Sequence, residues 1–211
     1  MTDDLQNQFG NIDIYLFDQL LKGRFAPGMR VLDAGCGSGR NLVYFLRNAY
    51  DVYGVDRSEA AIVQVRQLAS ALAPTLPQEN FRVEAVDHLS FTNGFDWILS
   101  SAVLHFARDE AHWQAMVAEM WRLLKPGGVL FARLASTIGM QDRVTLIEGR
   151  SYHLPDGSDR FLVDEVMLHR VTSELGGEFI EPIKTTVVEN LRAMTTWVIR
   201  RTNEIPRPLA S

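Results

Sequence analysis

Three glycines lie within five residues, directly after a run of β-forming residues, and this cluster constrains the 211-residue chain more than any other feature. Gly35, Gly37 and Gly39 follow Arg30–Ala34, a short and mostly apolar run that is typical of a buried strand. Glycines at a strand-to-helix turn let the backbone bend sharply and approach a ligand without a Cβ clash. The segment therefore predicts a nucleotide-like ligand at the carboxyl end of a strand in an α/β sheet.

Strand and helix patterns alternate along most of the chain, which is typical of a doubly wound α/β fold. The β-rich runs lie at 30–34, 52–55, 81–86, 95–99 and 129–134. The helical patterns lie at 41–48, 58–72, 109–124 and 163–175, with Ser58 as the expected N-cap of the second. Two later β-rich runs, 179–188 and 193–200, are expected to form an antiparallel hairpin because only residues 189–192 separate them. We predict a single Rossmann-like sheet of seven strands, mostly parallel with an antiparallel last strand, and helices on both faces.

Two segments fall outside this alternation and are predicted to cover a substrate. A helical pattern at 11–22 precedes the first strand and ends before Pro27 and Gly28, so residues 1–27 are interpreted as an N-terminal helical lid. Residues 135–160 contain turn-forming residues and are too long for an ordinary connection, a length typical of functional loops. Residues 28–211 are predicted to form one domain with an inserted lid at about 135–160.

Three aspartates follow the predicted strands in turn. Asp33 stands two residues before the first glycine, where a carboxylate would repel a pyrophosphate but suits a ligand that carries a positive charge. Asp56 ends the second strand, where an acid can accept hydrogen bonds from both hydroxyls of a ribose. Asp87 ends the third predicted strand, where a carboxylate can accept a bond from an exocyclic amine of a base. The three acids predict a cationic nucleoside ligand.

The glycine loop differs from two glycine-rich patterns that bind phosphate groups. The dinucleotide fingerprint needs its third glycine at position 40, where this chain has Arg40. No Lys-Ser or Lys-Thr pair follows the loop, as a phosphate-binding P-loop requires. A nicotinamide-dependent oxidoreductase is therefore kept only as the less favoured alternative.

These motifs together resemble one family. The pattern D-x-G-x-G-x-G at 33–39, the acids Asp56 and Asp87, and the Leu-Lys-Pro-Gly-Gly at 124–128 resemble the class I S-adenosylmethionine-dependent methyltransferases. The resemblance extends over about residues 28–134. Residues 32–41 and 50–52 are similar to the tellurite-resistance and thiopurine-type branch, whose acceptors are small molecules.

The resemblance implies S-adenosylmethionine as the cofactor and S-adenosylhomocysteine as the product. Asp33 and the glycine loop would surround the methionine moiety, Asp56 would bind the ribose, and Asp87 would meet the adenine amine. The full set of implied cofactor-binding residues is Asp33, Gly35, Cys36, Gly37, Gly39, Asp56, Arg57, Asp87, His88, Ser100 and Ser101. A cofactor-binding or interaction protein without turnover stays an alternative, because methyl transfer needs few strictly catalytic residues.

The expected acceptor is a small molecule with a sulfur, oxygen, nitrogen or metalloid nucleophile. His105, just after the fourth predicted strand, is the candidate general base, and the alternative is a histidine that shapes the pocket or caps a helix. Tyr15, Arg150 and Tyr152 are candidate substrate contacts. His112 is interpreted as an ordinary helix position, and the five histidines show no spacing typical of a zinc site.

Charge and composition bound the partners of the chain. Its 21 basic and 26 acidic residues give a net charge of -5, which disfavours nucleic acid as a partner. No apolar stretch is long enough for a membrane span, and the single cysteine, Cys36, is interpreted as a filler of the loop. We expect a cytoplasmic protein, without a metal or a membrane partner, that is a monomer or a homodimer.

Overall fold

The computed structural model describes residues 2–92 and 94–202 and shows an eight-stranded sheet with helices on both faces. The described helices are α1 (Thr2–Phe9), α2 (Ile14–Leu21), α3 (Val43–Arg47), α4 (Glu59–Leu72), α5 (Glu110–Leu123) and α6 (Glu165–Glu174). The described strands are β1 (Arg30–Ala34), β2 (Asp51–Asp56), β3 (Phe81–Val83), β4 (Phe95–Ser101), β5 (Leu124–Ala135), β6 (Thr145–Glu148), β7 (Ser151–His153), β8 (Asp159–Phe161), β9 (Gly177–Phe179), β10 (Lys184–Val188) and β11 (Arg192–Arg201).

The main sheet has the strand order β10-β11-β5-β4-β1-β2-β3. Strands β1 to β5 run parallel, whereas β11 runs antiparallel to both β5 and β10. This confirms the Rossmann-like α/β sheet with an antiparallel last strand. The short strand β9 is an addition, since it pairs with the far end of β11 at Ile199 to Arg201 beyond the reach of β10.

Alternating side chains of the strands build two apolar layers, one on each face of the sheet. In β1, Val31 packs with the cluster that includes Phe45 and Val65 of α3 and α4. The next residue, Leu32, packs on the opposite face with Trp113 and other side chains of α5 and α6. Successive residues of a strand point to opposite faces, so a strand buried on both sides must be apolar throughout.

Local capping explains where the long helices begin. The Ser58 side chain accepts a hydrogen bond from the Ala61 N–H at 3.3 Å, which confirms the expected N-cap of α4. The Asp109 side chain accepts one from the His112 N–H at 2.7 Å and starts α5. In α2, Asp13 takes this role, and the helix therefore starts three residues later than the apolar pattern predicts.

Three predicted strands differ from the observed ones. The strand predicted at 129–134 begins at Leu124, because Leu124 already pairs with Phe95 of β4. The third predicted strand ends at Val83 instead of residue 86, because it is the outermost strand and pairs only with β2, whose last residue is Asp56. Asp87 therefore lies on the loop that follows β3. The run predicted at 179–188 divides into β9 and β10 around Pro182, which has no N–H to donate to a neighbouring strand.

The segment predicted as an inserted lid contains regular structure of its own. Strands β6, β7 and β8 form a small antiparallel sheet, anchored by a cluster of Leu154, Leu162 and Ala135 of β5. At the amino end, α1 is a helix that the polar sequence at 2–9 did not predict. No helix in the described chain is both long and apolar enough to cross a membrane.

Candidate functional site

The glycine loop turns in a conformation that only glycine adopts without strain. Gly35, Gly37 and Gly39 have φ angles of +87°, +52° and +88°. A Cβ on Gly35 would lie 2.3 Å from Val103 Cγ2, and one on Gly39 would lie 2.8 Å from Val65 Cγ2. Gly35 therefore serves two purposes, since it permits the turn and lets the loop after β4 approach closely.

Asp33 is a buried carboxyl with no hydrogen bond from the described chain to either oxygen. Burial raises its pKa to about 7 and the negative charge of Asp56 adds to this rise, while the Arg40 guanidinium and the Asn41 side chain, which forms no hydrogen bond with it, oppose it. An unpartnered buried carboxylate is unfavourable unless a cation or a donor reaches it. The site is therefore chemically suited to a positively charged ligand.

Asp56 and Asp87 line one cavity of about 290 Å³ together with Gly35, and we call it the first cavity. Asp56 Oδ2 accepts the Gly37 N–H at 3.0 Å and Oδ1 accepts the Ser58 N–H at 2.9 Å. Each carboxylate oxygen has further lone-pair capacity, so both can accept another hydrogen bond. The larger apolar side chains of the lining are Val86, Val103, Phe106 and Met116.

His112 also lines the first cavity, so its interpretation as an ordinary helix position is wrong. Its Nδ1 accepts the Arg108 N–H at 3.1 Å, which leaves the ring proton on Nε2. Nε2 lies 3.3 Å from Asp87 Oδ2. His112 thereby orients the Asp87 carboxylate, and its position in the first turn of α5 was the only sequence signal for this contact.

A second cavity of about 330 Å³ adjoins the first at Ala102, which lines both. Ala102 has a φ of +65°, a left-handed conformation that is unusual for a residue with a side chain. The Ala102 N–H donates to the Arg133 carbonyl at 2.7 Å and so stays tied to β5. Sequence reasoning missed Ala102 because nothing about an alanine after a strand signals this conformation.

His105 and three arginines line the second cavity: Arg133, Arg160 and Arg192. His105 is buried, and its Nδ1 has no hydrogen-bond partner in the described chain. Burial, followed by the charges of Arg160 and Arg192, lowers the pKa of His105 to about 4. The imidazole is therefore neutral at neutral pH and has a free ring nitrogen.

A buried carboxylate from the amino-terminal segment supports this region. Asp13 Oδ2 accepts hydrogen bonds from Arg133 Nη1 at 2.9 Å and from Ser101 Oγ at 3.0 Å. Ser101 Oγ accepts one in turn from Arg40 Nη2 at 3.0 Å. This network connects α2, the glycine loop, β4 and β5, and the isolated Asp13 had no recognisable motif in the sequence.

The other predicted cofactor residues lie around the glycine loop in different degrees of contact. Arg57 lines the first cavity, whereas His88 is exposed and outside its lining. Ser100 and Ser101 are buried at the end of β4. Cys36 is buried against Gly54, and burial raises the pKa of its thiol, so it stays protonated.

The predicted substrate contacts lie outside the linings of both cavities. Tyr15 bonds through its hydroxyl to Thr186, and its ring lies beneath the Arg133 guanidinium at 5.1 Å. Arg150 instead pairs with Asp164 at 3.0 Å and with Glu110 at 3.5 Å. Tyr152 packs beside Leu154 in the small sheet. Ion pairing and local packing thus account for Arg150 and Tyr152 without a ligand.

Metal-ligand chemistry has no evident location in residues 2–92 and 94–202. No three His, Cys, Asp or Glu side chains of this part gather in a way that could hold a metal ion.

Comparisons with known proteins find methyltransferases of similar sequence and of similar fold. Residues 31–128 match a family model described as a methyltransferase domain. The chain is 34% identical over 106 residues to trans-aconitate 2-methyltransferase of Deinococcus radiodurans, which covers 49% of this chain and 37% of that protein. It is 34% identical over 140 residues to tRNA U34 carboxymethyltransferase of Methylococcus capsulatus, which covers 62% of this chain and 40% of that protein. The matched segments span less than half the length of these relatives.

The fold is similar to that of 1,6-didemethyltoxoflavin-N1-methyltransferase from Burkholderia thailandensis, solved with 1,6-didemethyltoxoflavin and S-adenosylhomocysteine. The two chains superpose with a TM-score of 0.69 at 19% identity, over 96% of this chain and 83% of that one. The strand order and the glycine loop with its preceding acid agree with the methyltransferase domain that the family model describes. Residues 31–128 of the chain are therefore similar to a methyltransferase domain, and the chain has the fold of a methyltransferase solved with S-adenosylhomocysteine.

Proposed function

We propose that this chain transfers a methyl group from S-adenosylmethionine to a small-molecule acceptor. The observation that carries the proposal is the unpartnered, buried carboxyl of Asp33 beside the glycine loop. A sulfonium and an ammonium are cations that such a carboxylate favours, whereas a pyrophosphate is not. S-adenosylmethionine, when bound, supplies a methyl group on a sulfonium that leaves as a neutral thioether.

The two acids of the first cavity, Asp56 and Asp87, would recognise the ribose and the adenine of the cofactor. Asp56 would accept hydrogen bonds from the two ribose hydroxyls, because each of its oxygens has lone-pair capacity beyond its backbone N–H. Asp87 would accept the exocyclic amine of adenine, in an orientation set by His112. Val86 and Val103 offer apolar surface for the base.

The second cavity is where we place the acceptor. It adjoins the first cavity at Ala102, so an acceptor there would lie next to the glycine loop. Its volume of about 330 Å³ suits a small molecule. The net charge of -5 also favours a small molecule over a polyanion, although one relative is named for a tRNA reaction.

The 135–160 insertion lines this cavity and the amino-terminal segment contacts one of its arginines, which supports their assignment as lids. Leu154, Asp156 and Arg160 of the 135–160 insertion contribute to the lining of the second cavity. From the amino-terminal segment, Asp13 holds Arg133 in place at 2.9 Å. We propose that both segments enclose the acceptor.

His105 is the candidate for proton transfer in this site. Its imidazole is neutral because burial and the two neighbouring arginines lower its pKa to about 4. A neutral imidazole can accept a proton, but a pKa this low makes it a weak base. We therefore propose that His105 contacts the acceptor, and a His105→Ala variant with wild-type turnover at every pH would remove it from any catalytic role.

Calorimetric titration of S-adenosylmethionine into the full chain tests the cofactor assignment. Asp56→Asn keeps the shape of the side chain but removes its charge and one acceptor, and we expect the Kd to rise at least about tenfold. Asp51→Asn is the matched control, since Asp51 lies at the opposite end of β2 and pairs with Arg30 at 3.0 Å. Equal affinity of both variants would contradict the assignment.

Turnover is tested separately. Release of S-adenosylhomocysteine is measured across a panel of small thiols, oxyanions, phenols and amines. Tight cofactor binding without release of product for any acceptor would favour a binding protein without catalysis.

A further inference from the structure

We propose that the acceptor is a small oxyanion, a carboxylate or a phosphate, held in the second cavity by Arg133, Arg160 and Arg192. The inference rests on the proposed function, because it names the chemical class that the methyl-transfer site accepts. The three guanidinium groups reach one cavity from three elements that are distant in the sequence, namely β5, β8 and β11.

Arg160 is the arginine with the most available charge. Its Nη1 donates to the main-chain oxygen of Asp159 at 2.6 Å, and its guanidinium lies 4.9 Å from the centre of the Phe106 ring. No carboxylate lies within 4.0 Å of it in residues 2–92 and 94–202. The ring holds the guanidinium plane in place without neutralising its charge.

The two other arginines are partly neutralised, and each leaves donors for a ligand. Arg133 pairs with the buried Asp13 at 2.9 Å, yet its Nε is buried with no partner in the described chain. Arg192 lies 3.8 Å from Asp156, which is too long for a hydrogen bond. Asp156 is also bonded to Ser158, which satisfies part of its accepting capacity.

The charge balance of the cavity is therefore positive. The cavity has three guanidinium groups and, within the described residues, only two carboxylates near them. Asp13 neutralises Arg133, and Asp156 lies next to Arg192. His105 adds no charge, because burial, together with the charges of Arg160 and Arg192, lowers its pKa to about 4. A cavity of this size that carries excess positive charge is stabilised by a small anion.

Arginine is suited to this task by its geometry. Its planar guanidinium presents parallel N–H donors that match the two oxygens of a carboxylate or a phosphate. His105 lines the same cavity, and its neutral imidazole offers a further contact there. Neither group needs to move a proton if the acceptor oxygen is already ionised, which agrees with the weak basicity of His105.

Calorimetry with succinate and inorganic phosphate tests the inference, with the uncharged succinamide as the matched probe. We expect succinate or phosphate to bind the full chain and succinamide not to bind. Arg160→Gln and Arg192→Gln should each raise the Kd about tenfold, since each removes a charge-assisted hydrogen bond. Arg200→Gln is the control, because Arg200 lies on the same strand as Arg192, is similarly exposed and pairs with Glu178.

The outcomes separate the anion site from the proposed function. The stronger of the two anionic probes identifies the carboxylate or the phosphate as the preferred group. The absence of binding by both, equal binding of succinamide, or an equal Kd in the Arg160→Gln/Arg192→Gln variant would overturn the inference. S-adenosylmethionine is titrated into the same proteins as a readout of the first cavity.

Cofactor binding in every variant without arginine-dependent anion binding overturns the anion site and leaves the methyl-transfer proposal standing. Arginine-dependent anion binding in a chain that does not bind the cofactor supports the anion site and overturns the methyl-transfer proposal.

Discussion

At the scale of single residues, burial of the Asp33 carboxyl makes the stability of the protein depend on pH. Its pKa in the folded chain is about 7, above the value of 3.8 for an exposed aspartate, and burial is the main cause. Between about pH 4 and pH 7, the Asp33 carboxyl is therefore protonated in the folded state and ionised in the unfolded state. The stability contributed by protonated Asp33 is complete below about pH 4 and is lost as the pH rises through about 7.

Asp33→Asn is expected to stabilise the ligand-free protein at pH 8 and to weaken cofactor binding. The gain in free energy of unfolding over wild type should grow from pH 4 to pH 7, by up to roughly 4 kcal/mol. Urea denaturation at pH 5, 6, 7 and 8 measures it, with the half-exposed Asp51→Asn as the control. Parallel pH profiles of Asp33→Asn and wild type would contradict the raised pKa.

Gly35 tests the close approach between the glycine loop and the loop after β4. Gly35→Ala places a Cβ 2.3 Å from Val103 Cγ2 at a φ of +87°, and we expect a loss of roughly 2–4 kcal/mol of stability. Adding Val103→Ala should restore part of this loss by removing the clashing carbons. Gly37→Ala is the control, because its Cβ meets nothing within 4 Å and only the backbone conformation is strained.

The double-mutant cycle of Gly35→Ala and Val103→Ala is measured by urea denaturation. A coupling energy of about 1 kcal/mol or more is expected for this pair and close to zero for Gly37→Ala with Val103→Ala. Additive effects in both pairs would show that the clash with Val103 is not the reason why position 35 requires glycine.

At the scale of elements, α2 is connected to the sheet by one buried charge. Asp13 caps this helix through the Tyr15 N–H and also pairs with Arg133 of β5. Asp13→Asn keeps a capping oxygen but leaves Arg133 without its carboxylate, and we expect a loss of about 3–5 kcal/mol of stability. Asp18→Asn, on the same helix, should change stability by less than about 1 kcal/mol because its ion pairs with Lys22 and Lys184 are half-exposed.

Chemical denaturation of both variants checks this difference. Equal stability losses would show that the buried pair contributes no more than the exposed one.

The sequence predicted the ends of helices and strands correctly where local interactions determine them. The cap Ser58 was recognisable because a polar side chain directly precedes an apolar helical pattern. The end of β3 was not recognisable, since it depends on where β2 ends beside it. The small sheet of 145–161 was also missed, because mixed polarity gives no clear period and its strands pair only with one another.

At the scale of the whole molecule, the first cavity lies where the strand order of the sheet reverses. Strands β2 and β4 flank β1 on opposite sides, and the loops that follow these three strands contribute to the cavity. Ligands of open α/β sheets bind at such a reversal, outside the carboxyl ends of the strands. The architecture thus explains why the glycine loop and two of the acids meet there.

Ligand-dependent thermal unfolding tests the assignment for the molecule as a whole. A ligand that binds only the folded state stabilises it by about 2.7 kcal/mol at a hundredfold excess over its Kd. We expect S-adenosylmethionine and S-adenosylhomocysteine to raise the Tm and the nicotinamide dinucleotide NAD to leave it unchanged, because Asp33 would repel a pyrophosphate. A rise with NAD alone would favour the oxidoreductase alternative.

The sequence by itself determined the sheet, the glycine loop and the acids around it. Strand alternation, helix caps and the need for glycine at positive φ are local requirements that neighbouring residues express. Tertiary structure alone decided the cavity in which we propose that the acceptor binds. Arg133, Arg160 and Arg192 belong to three separate strands, and only chain packing brings their charges into one cavity beside His105. The same holds for the burial of Asp13, since a side chain acquires its environment from residues that are distant along the chain.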